Sequence, residues 1–405
     1  MKKTLAWAVT AVTAATCALG ATLPAAAADD MTATAATSPG SGIDTSLEAH
    51  QQELIDKIMA ALPADWQERA DAAAAEFGMG DTPWAEIRNN AINPGDYQCQ
   101  DTALSTYASD LVKDVKFRPI LSAFSQLRVW DIPAFDAMLN DSDPKSQTFG
   151  VNGEYTNELT HEGRDLKKFW DIPSEDIQIK AMHSAEVLNS PERMARVLQT
   201  WIPVGPIEGK LTVARWVIEL MRSEPAFQDG ANPIFTFNAI AYTDRYRQRP
   251  YGVSDHIVMG DGILQGMEAV GLGDTAPRGI LAHEFSHHVQ FADNLFNSTL
   301  PAPEATRRTE LMADAFGTYF LTHSRGEALN TKRVLDSEES FYQAGDCNFR
   351  SGGHHGTPNQ RLAASSWGAS VADDAANQGH ILPSLKLDEL FEAKLPDIVK
   401  PDATN

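Results

Sequence analysis

The 405-residue chain is poor in cysteine, with three, and poor in positive charge, with 33 Lys and Arg against 55 Asp and Glu. Three cysteines are too few for a disulfide-dense scaffold or a cysteine-rich metal module. A formal charge of −22 argues against nucleic acid as a partner, because a phosphate backbone demands a basic face. It equally disfavours docking on anionic lipid. Past residue 28 no apolar run is long enough to span a bilayer. What is present is the composition of an ordinary folded protein, 43 % hydrophobic and 22 % charged. The length suits one large domain or two to three smaller ones.

The first residues read as an export signal. Lys2 and Lys3 precede an uncharged apolar stretch from Leu5 to Leu19, and Pro24 with the Ala25 to Ala28 run offers a small-residue cleavage site. Residues 1–28 are therefore expected to be a signal peptide, and the mature protein to be secreted or held outside the cytoplasm. Residues 29–43 are Ala, Thr, Ser, Pro and Gly with little else apolar, the composition of a flexible linker. Cleavage leaves Cys99 and Cys347. Such a pair is either one disulfide or two buried thiols, and an oxidising compartment favours the disulfide.

Helical periodicity begins after Asp44, with Leu47, Leu54, Ile55, Ile58, Met59 and Leu62 at 3–4 spacing before Pro63. Residues 100–228 continue mostly helical, their apolar stripes being core rather than cofactor sites. Near residue 232 the composition shifts. The run from Pro233 to Ala241 is rich in β-branched and aromatic residues and reads as a strand, and Asp255 to Gly260 reads as a second. Helices are expected over 276–294, with Thr275 or Asp274 as cap, and over 304–324 and 328–344. Another should open at Thr357-Pro358-Asn359-Gln360, which reads as a capping box.

The informative string is His283-Glu284-Phe285-Ser286-His287. On a helix, residues four apart share one face a turn apart, so both imidazoles can reach one ion. Neutral imidazole suits Zn²⁺ and leaves room for a third protein ligand and a water. Glu284 sits beside such an ion, where a carboxylate takes a proton from that water. The next helix offers the third ligand. In Glu310-Leu311-Met312-Ala313-Asp314, Glu310 can bind the ion and Asp314 can accept the spare ring N–H of a histidine. The competing reading is a solvated acidic face paired with Arg307 and Arg308. Apolar Leu311, Ala315, Phe316, Tyr319 and Phe320 argue instead for a buried helix, whose carboxylates need partners.

Asp293, six residues past His287, competes for the ligand role. That geometry needs a glycine three residues after the second histidine, where this chain has Gln290, so Asp293 is expected to be a surface or cap residue. His288 projects about 100° round the helix from His287 and reads as a core or supporting histidine. Glu268 reads as ordinary. Downstream, His355 lies in a glycine loop at a helix start, placed to act as an electrophile toward an oxyanion. Arg361 and Tyr342 are weaker candidates for that role.

Four strings taken in order, HEFSHHVQ from His283, ELMADAFG from Glu310, GDCNF from Gly345 and HHGTPNQR from His354, resemble the neutral zinc metallopeptidases of bacteria. The resemblance covers roughly residues 233–370, and more broadly the pair of helical motifs is similar to the thermolysin-like gluzincins. It implies His283, His287 and Glu310 as zinc ligands, Glu284 as general base and Asp314 behind a histidine. It also implies a zincin-type fold in which an edge strand, here residues 255–260, aligns substrate above the active-site helix.

The expectation is therefore an α+β, predominantly helical protein. A zincin-like domain over 231–375, with a small β-sheet and an active-site helix, follows a helical region of unknown role over 44–230. A C-terminal helix and tail over 376–405 close the chain. The expected function is that of an exported metallopeptidase carrying one Zn²⁺ and acting on peptide or protein substrates. The rival is a zinc-braced envelope binding or assembly protein without activity.

Overall fold

Three short strands divide the helices into two layers. The computed structural model describes residues 45–76, 92–139, 146–245, 252–347, 354–374 and 379–403, so the expected signal peptide and linker lie outside the described residues. The first half carries α1 (Thr45–Ala61), α2 (Trp66–Glu76), α3 (Ala103–Asp110), α4 (Pro119–Gln126), α5 (Ile132–Leu139), α6 (Thr156–Phe169), β1 (Gln178–Met182), α7 (Ser184–Leu188), α8 (Pro191–Trp201) and α9 (Ile207–Arg222). The second half carries β2 (Ala239–Tyr242), β3 (His256–Gly260), α10 (Asp261–Ala269), α11 (Ala276–Asp293), α12 (Ala302–Thr322), α13 (Thr331–Gln343), α14 (Pro358–Asp373) and α15 (Ser384–Ile398). The protein is predominantly helical with one small sheet, as the composition of its segments predicts.

The sheet order is β1-β3-β2, with β1 parallel and β2 antiparallel to β3. Side chains alternate across a strand, and here the alternation distributes them between two hydrophobic cores. Val258, Ile240, Tyr242 and Met182 join the core built with α1, α2, α4, α5 and α7 to α9. Ile257, Met259 and Ala239 join the core built with α3, α6, α10 to α12, α14 and α15. Both faces are covered, which is why all five residues of β3 are buried.

Two expectations about the strands are corrected. Residues 233–241 do not form one strand: Pro233–Thr236 is a 3₁₀ turn, and only Ala239–Tyr242 extends. Asn232 caps that turn by accepting from Ile234 N–H at 2.9 Å, and Pro233 presets its first φ. The strand read at 255–260 is central, not an edge. Its second neighbour, β1, comes from the region read as helical, so the sheet draws strands from both sides of residue 231.

The helices that carry the candidate site residues fall close to their expected positions. Thr357 accepts from Gln360 N–H at 3.3 Å while Gln360 Oε1 accepts from Thr357 N–H at 3.1 Å, so the capping box opens α14. Thr275 occupies the cap position of α11 but its side chain makes no cap bond. Close packing then fixes the helices against each other. A Cβ on Gly317 of α12 would lie 3.1 Å from the backbone nitrogen of His283, and one on Gly368 of α14 would lie 2.1 Å from the carbonyl oxygen of Ala315. Glycine at these two points lets α11, α12 and α14 approach backbone to backbone.

Candidate metal centre

Helix α11 is buried from Ala276 to Phe291 at every position but Arg278. An ordinary buried helix is apolar on every face, yet this one carries His283, Glu284, His287 and His288 at 0–1 % exposure. Buried ionisable groups need partners, and the partners define the site. His283 Nδ1 donates to Asp314 Oδ1 at 2.8 Å, and His287 Nδ1 donates to Gln290 Oε1 at 2.9 Å. Gln290 is itself held, its amide donating to Thr309 O at 2.8 Å. With both Nδ1 atoms as donors, neutral rings turn their lone pairs outward at Nε2, and the two Nε2 atoms stand 3.1 Å apart. Burial lowers the His287 pKa to about 3, outweighing the nearby Glu310 charge, so the ring is neutral near pH 7.

Glu310 completes the group. Its carboxylate oxygens stand 3.4 Å from His283 Nε2 and 3.6 Å from His287 Nε2, are fully buried, and among the described residues meet no hydrogen-bond partner of good geometry. Burial by itself would raise this carboxyl, but the neighbouring histidines, His355 foremost, outweigh it and hold the pKa at about 2. Two opposed lone pairs beside an orphaned carboxylate are unfavourable without a cation among them. The separations also fit one. Ligand atoms about 2.0–2.1 Å from a tetrahedral zinc lie about 3.3–3.4 Å apart, close to the observed edges. His283, His287 and Glu310 therefore form a buried group that can hold a metal ion.

The flanking residues explain how the group is held. Arg307 pairs with Glu304 at 3.4 Å and Arg308 with Glu392 at 2.5 Å, so the arginines of α12 turn elsewhere. Asp314 is instead gripped by Arg361 of α14, from Nε to Oδ2 at 2.8 Å and from a terminal nitrogen to Oδ1 at 2.6 Å. Arg361, a weaker candidate for an oxyanion donor, has its guanidinium buried behind Asp314, and its third nitrogen donates to Ala344 O at 3.0 Å. Tyr342 is half-buried on α13.

His355 is close enough to Glu310 for each to shift the other's pKa, but it stands outside the three-residue group among the described residues. Burial lowers its pKa, whereas Glu310 and hydrogen bonding to Asp346 raise it further, and the net shift is upward. Asp346 Oδ2 accepts from both His355 N–H, at 2.9 Å, and His355 Nδ1, at 3.0 Å.

Asp293 ends α11, followed by Asn294 in the left-handed conformation, and belongs to no metal-holding group. His288 donates from Nε2 to the His256 carbonyl at 2.9 Å, tying α11 to β3 in the core. Glu268 accepts from the Tyr155 hydroxyl at 2.5 Å. Cys99 and Cys347 form a disulfide, with Cα atoms 5.7 Å apart.

Sequence reasoning missed three supporting residues. Gln290 was visible, since position i+3 from His287 shares its helical face. Asp346 and the true role of Arg361 were not, because both act across elements distant in sequence. Among the described residues no helix is long and apolar enough to cross a membrane. No family model, curated protein or solved structure matches the chain.

Proposed function

We propose that this protein is an exported zinc-dependent metallopeptidase, related to the bacterial neutral zinc metallopeptidases that its motifs resemble and zincin-like in its catalytic half. One observation carries the reading: two imidazoles, each fixed at Nδ1, turn their Nε2 atoms toward a buried carboxylate, and Glu284, next to His283 in the chain, is buried with them. Zinc held by His283, His287 and Glu310 supplies Lewis acidity, which makes water a nucleophile near neutral pH and polarises a peptide carbonyl. Glu284 accepts the proton of the attacking water and returns it to the leaving amine. His355 donates Nε2–H to the developing oxyanion, its other ring nitrogen held by Asp346. Asp314 and Gln290 keep the ligand rings in the tautomer that presents Nε2. The Cys99–Cys347 disulfide accords with a protein that works outside the reducing cytoplasm.

A second reading has its own observation. Complete burial of His283, Glu284, His287 and Glu310 suits a metal that only braces an envelope binding protein. Glu284 separates the two, since a structural site has no use for a base there. Zinc content and peptide cleavage of Glu284→Gln beside wild type decide the matter. The peptidase reading expects one zinc per chain in both and hydrolysis only in wild type. Equal cleavage by both proteins overturns the mechanism, and no cleavage by either, with zinc bound, favours the brace.

A further inference from the structure

The two histidine ligands and His355 are supported in different ways. His283 and His287 sit on a rigid helix and are held from α12 and from their own helix. His355 sits on the irregular segment 354–357 before α14, where Gly356 adopts φ +105°. Two of its hydrogen bonds, from its backbone N–H and from Nδ1, go to one carboxylate, that of Asp346. The other oxygen of that carboxylate accepts from His354 Nδ1 at 2.7 Å, so one aspartate clasps two successive histidines.

Asp346 is in turn held from behind. Its backbone N–H donates to Gly356 O at 3.0 Å. The next residue, Cys347, is bonded to Cys99, 248 residues earlier in the chain, and Cys99 Sγ stands 3.4 Å from the Asp346 carbonyl oxygen. The segment that follows Cys99 lies on the end of α13. Thr102 Oγ1 donates to Gln343 O at 2.8 Å, and Leu104 N–H donates to Gln343 Oε1 at 3.1 Å. A covalent tether thus ends one residue from the carboxylate that aims His355.

We propose that Asp346, anchored by the Cys99–Cys347 disulfide, is the positioning residue of His355, so that the disulfide governs turnover rather than metal retention. The inference rests on the reading of His355 as the oxyanion donor. A donor acts only at the place where charge develops, and a misplacement of about 1 Å can cost about 100-fold in rate. The metal-holding residues do not share this support, because their rings are aimed by Asp314 and Gln290.

The test uses the full mature protein, zinc-loaded, as wild type, Asp346→Asn and the pair Cys99→Ser with Cys347→Ser. Zinc per chain, thermal midpoint, and kcat and KM on a cleaved peptide are measured. The His355 Nδ1 proton is also observed by nitrogen-edited NMR, assigned with His355→Ala. Asp346→Asn should keep one zinc and hold KM within about twofold while kcat falls about 10–100-fold, with the Nδ1 proton signal lost or displaced. The cysteine pair should keep zinc, lower kcat by a smaller factor and displace the same signal. An unchanged kcat and signal in either variant, or loss of zinc from Asp346→Asn, overturns the proposal. If wild type cleaves nothing, the peptidase reading fails, and the NMR signal still reports by itself whether the disulfide and Asp346 set the His355 ring.

Discussion

Arg361 grips Asp314 through both carboxylate oxygens, at 2.8 and 2.6 Å, in a pair exposed by no more than 1 %. Asp314 passes that constraint to His283 through a 2.8 Å hydrogen bond. A guanidinium on one helix thus fixes the ring orientation of a histidine in the candidate metal group on another. Arg361→Ala leaves a buried carboxylate without its fork, which costs about 3–5 kcal/mol of stability. It should also weaken metal affinity about 10–100-fold by releasing His283. Denaturant unfolding and a metal titration check the two effects separately. Arg361→Lys, which keeps the charge but not the fork, should recover only part of either.

Glu310→Ala should abolish zinc retention, and Asp293→Ala should leave one zinc per chain. Elemental analysis of both variants beside wild type reads this directly. Zinc kept by Glu310→Ala would remove Glu310 from the ligand set. A chelator should lower the thermal midpoint of wild type, because an ion that binds only the folded chain stabilises it.

Stability should fall with rising pH on account of Glu162. Its side chain is 1 % exposed and neither oxygen has a hydrogen-bond partner. Burial, with Glu327, Glu158 and Asp165 nearby, raises its pKa well above 4.5, and the opposing Arg278 does not compensate. Arg278 is engaged with Glu158 at 2.5 Å and Glu327 at 2.7 Å. The folded chain therefore keeps a proton that the unfolded chain releases, and stability declines from about pH 4.5 up to the folded pKa. Glu162→Gln should raise the thermal midpoint at pH 7 and lose that advantage near pH 4. An advantage of equal size at both values would rule out ionisation as its source.

Gly368→Ala should destabilise out of proportion to one methyl group. The added Cβ would meet Ala315 O at 2.1 Å, an atom of helix backbone that cannot turn aside. A cost of about 1–3 kcal/mol is expected, with looser metal binding, since α12 carries both Glu310 and Asp314. Calorimetry and metal titration on the same preparation test the coupling.

Much of the ligand group was legible in the sequence because helical spacing is local. A spacing of four from His283 to His287, and of four from Glu310 to Asp314, places each pair on one face before any tertiary structure is known. Caps and breakers are local too, which is why Thr357 and Gln360 marked the start of α14 and Pro63 the end of the first helix. The acidic balance, the candidate pairing of Cys99 with Cys347 and the buried character of α12 also follow from composition and pattern alone.

Tertiary structure decided what depends on neighbours from elsewhere in the chain. The stretch from Pro233 bends into a 3₁₀ turn although its residues favour a strand, because Asn232 caps it and Pro233 fixes its backbone. β3 is central because Gln178–Met182, with too short an alternation to stand out, pairs along its other side. Arg361 looked like an electrophile in sequence and is a clamp in space, since only the packing of α14 on α12 brings it to Asp314. Asp346 gained its place the same way, through a disulfide to Cys99. Local pattern set the ligand faces, and long-range packing chose which charges stand behind them, because a buried charge takes its role from the partner it is packed against.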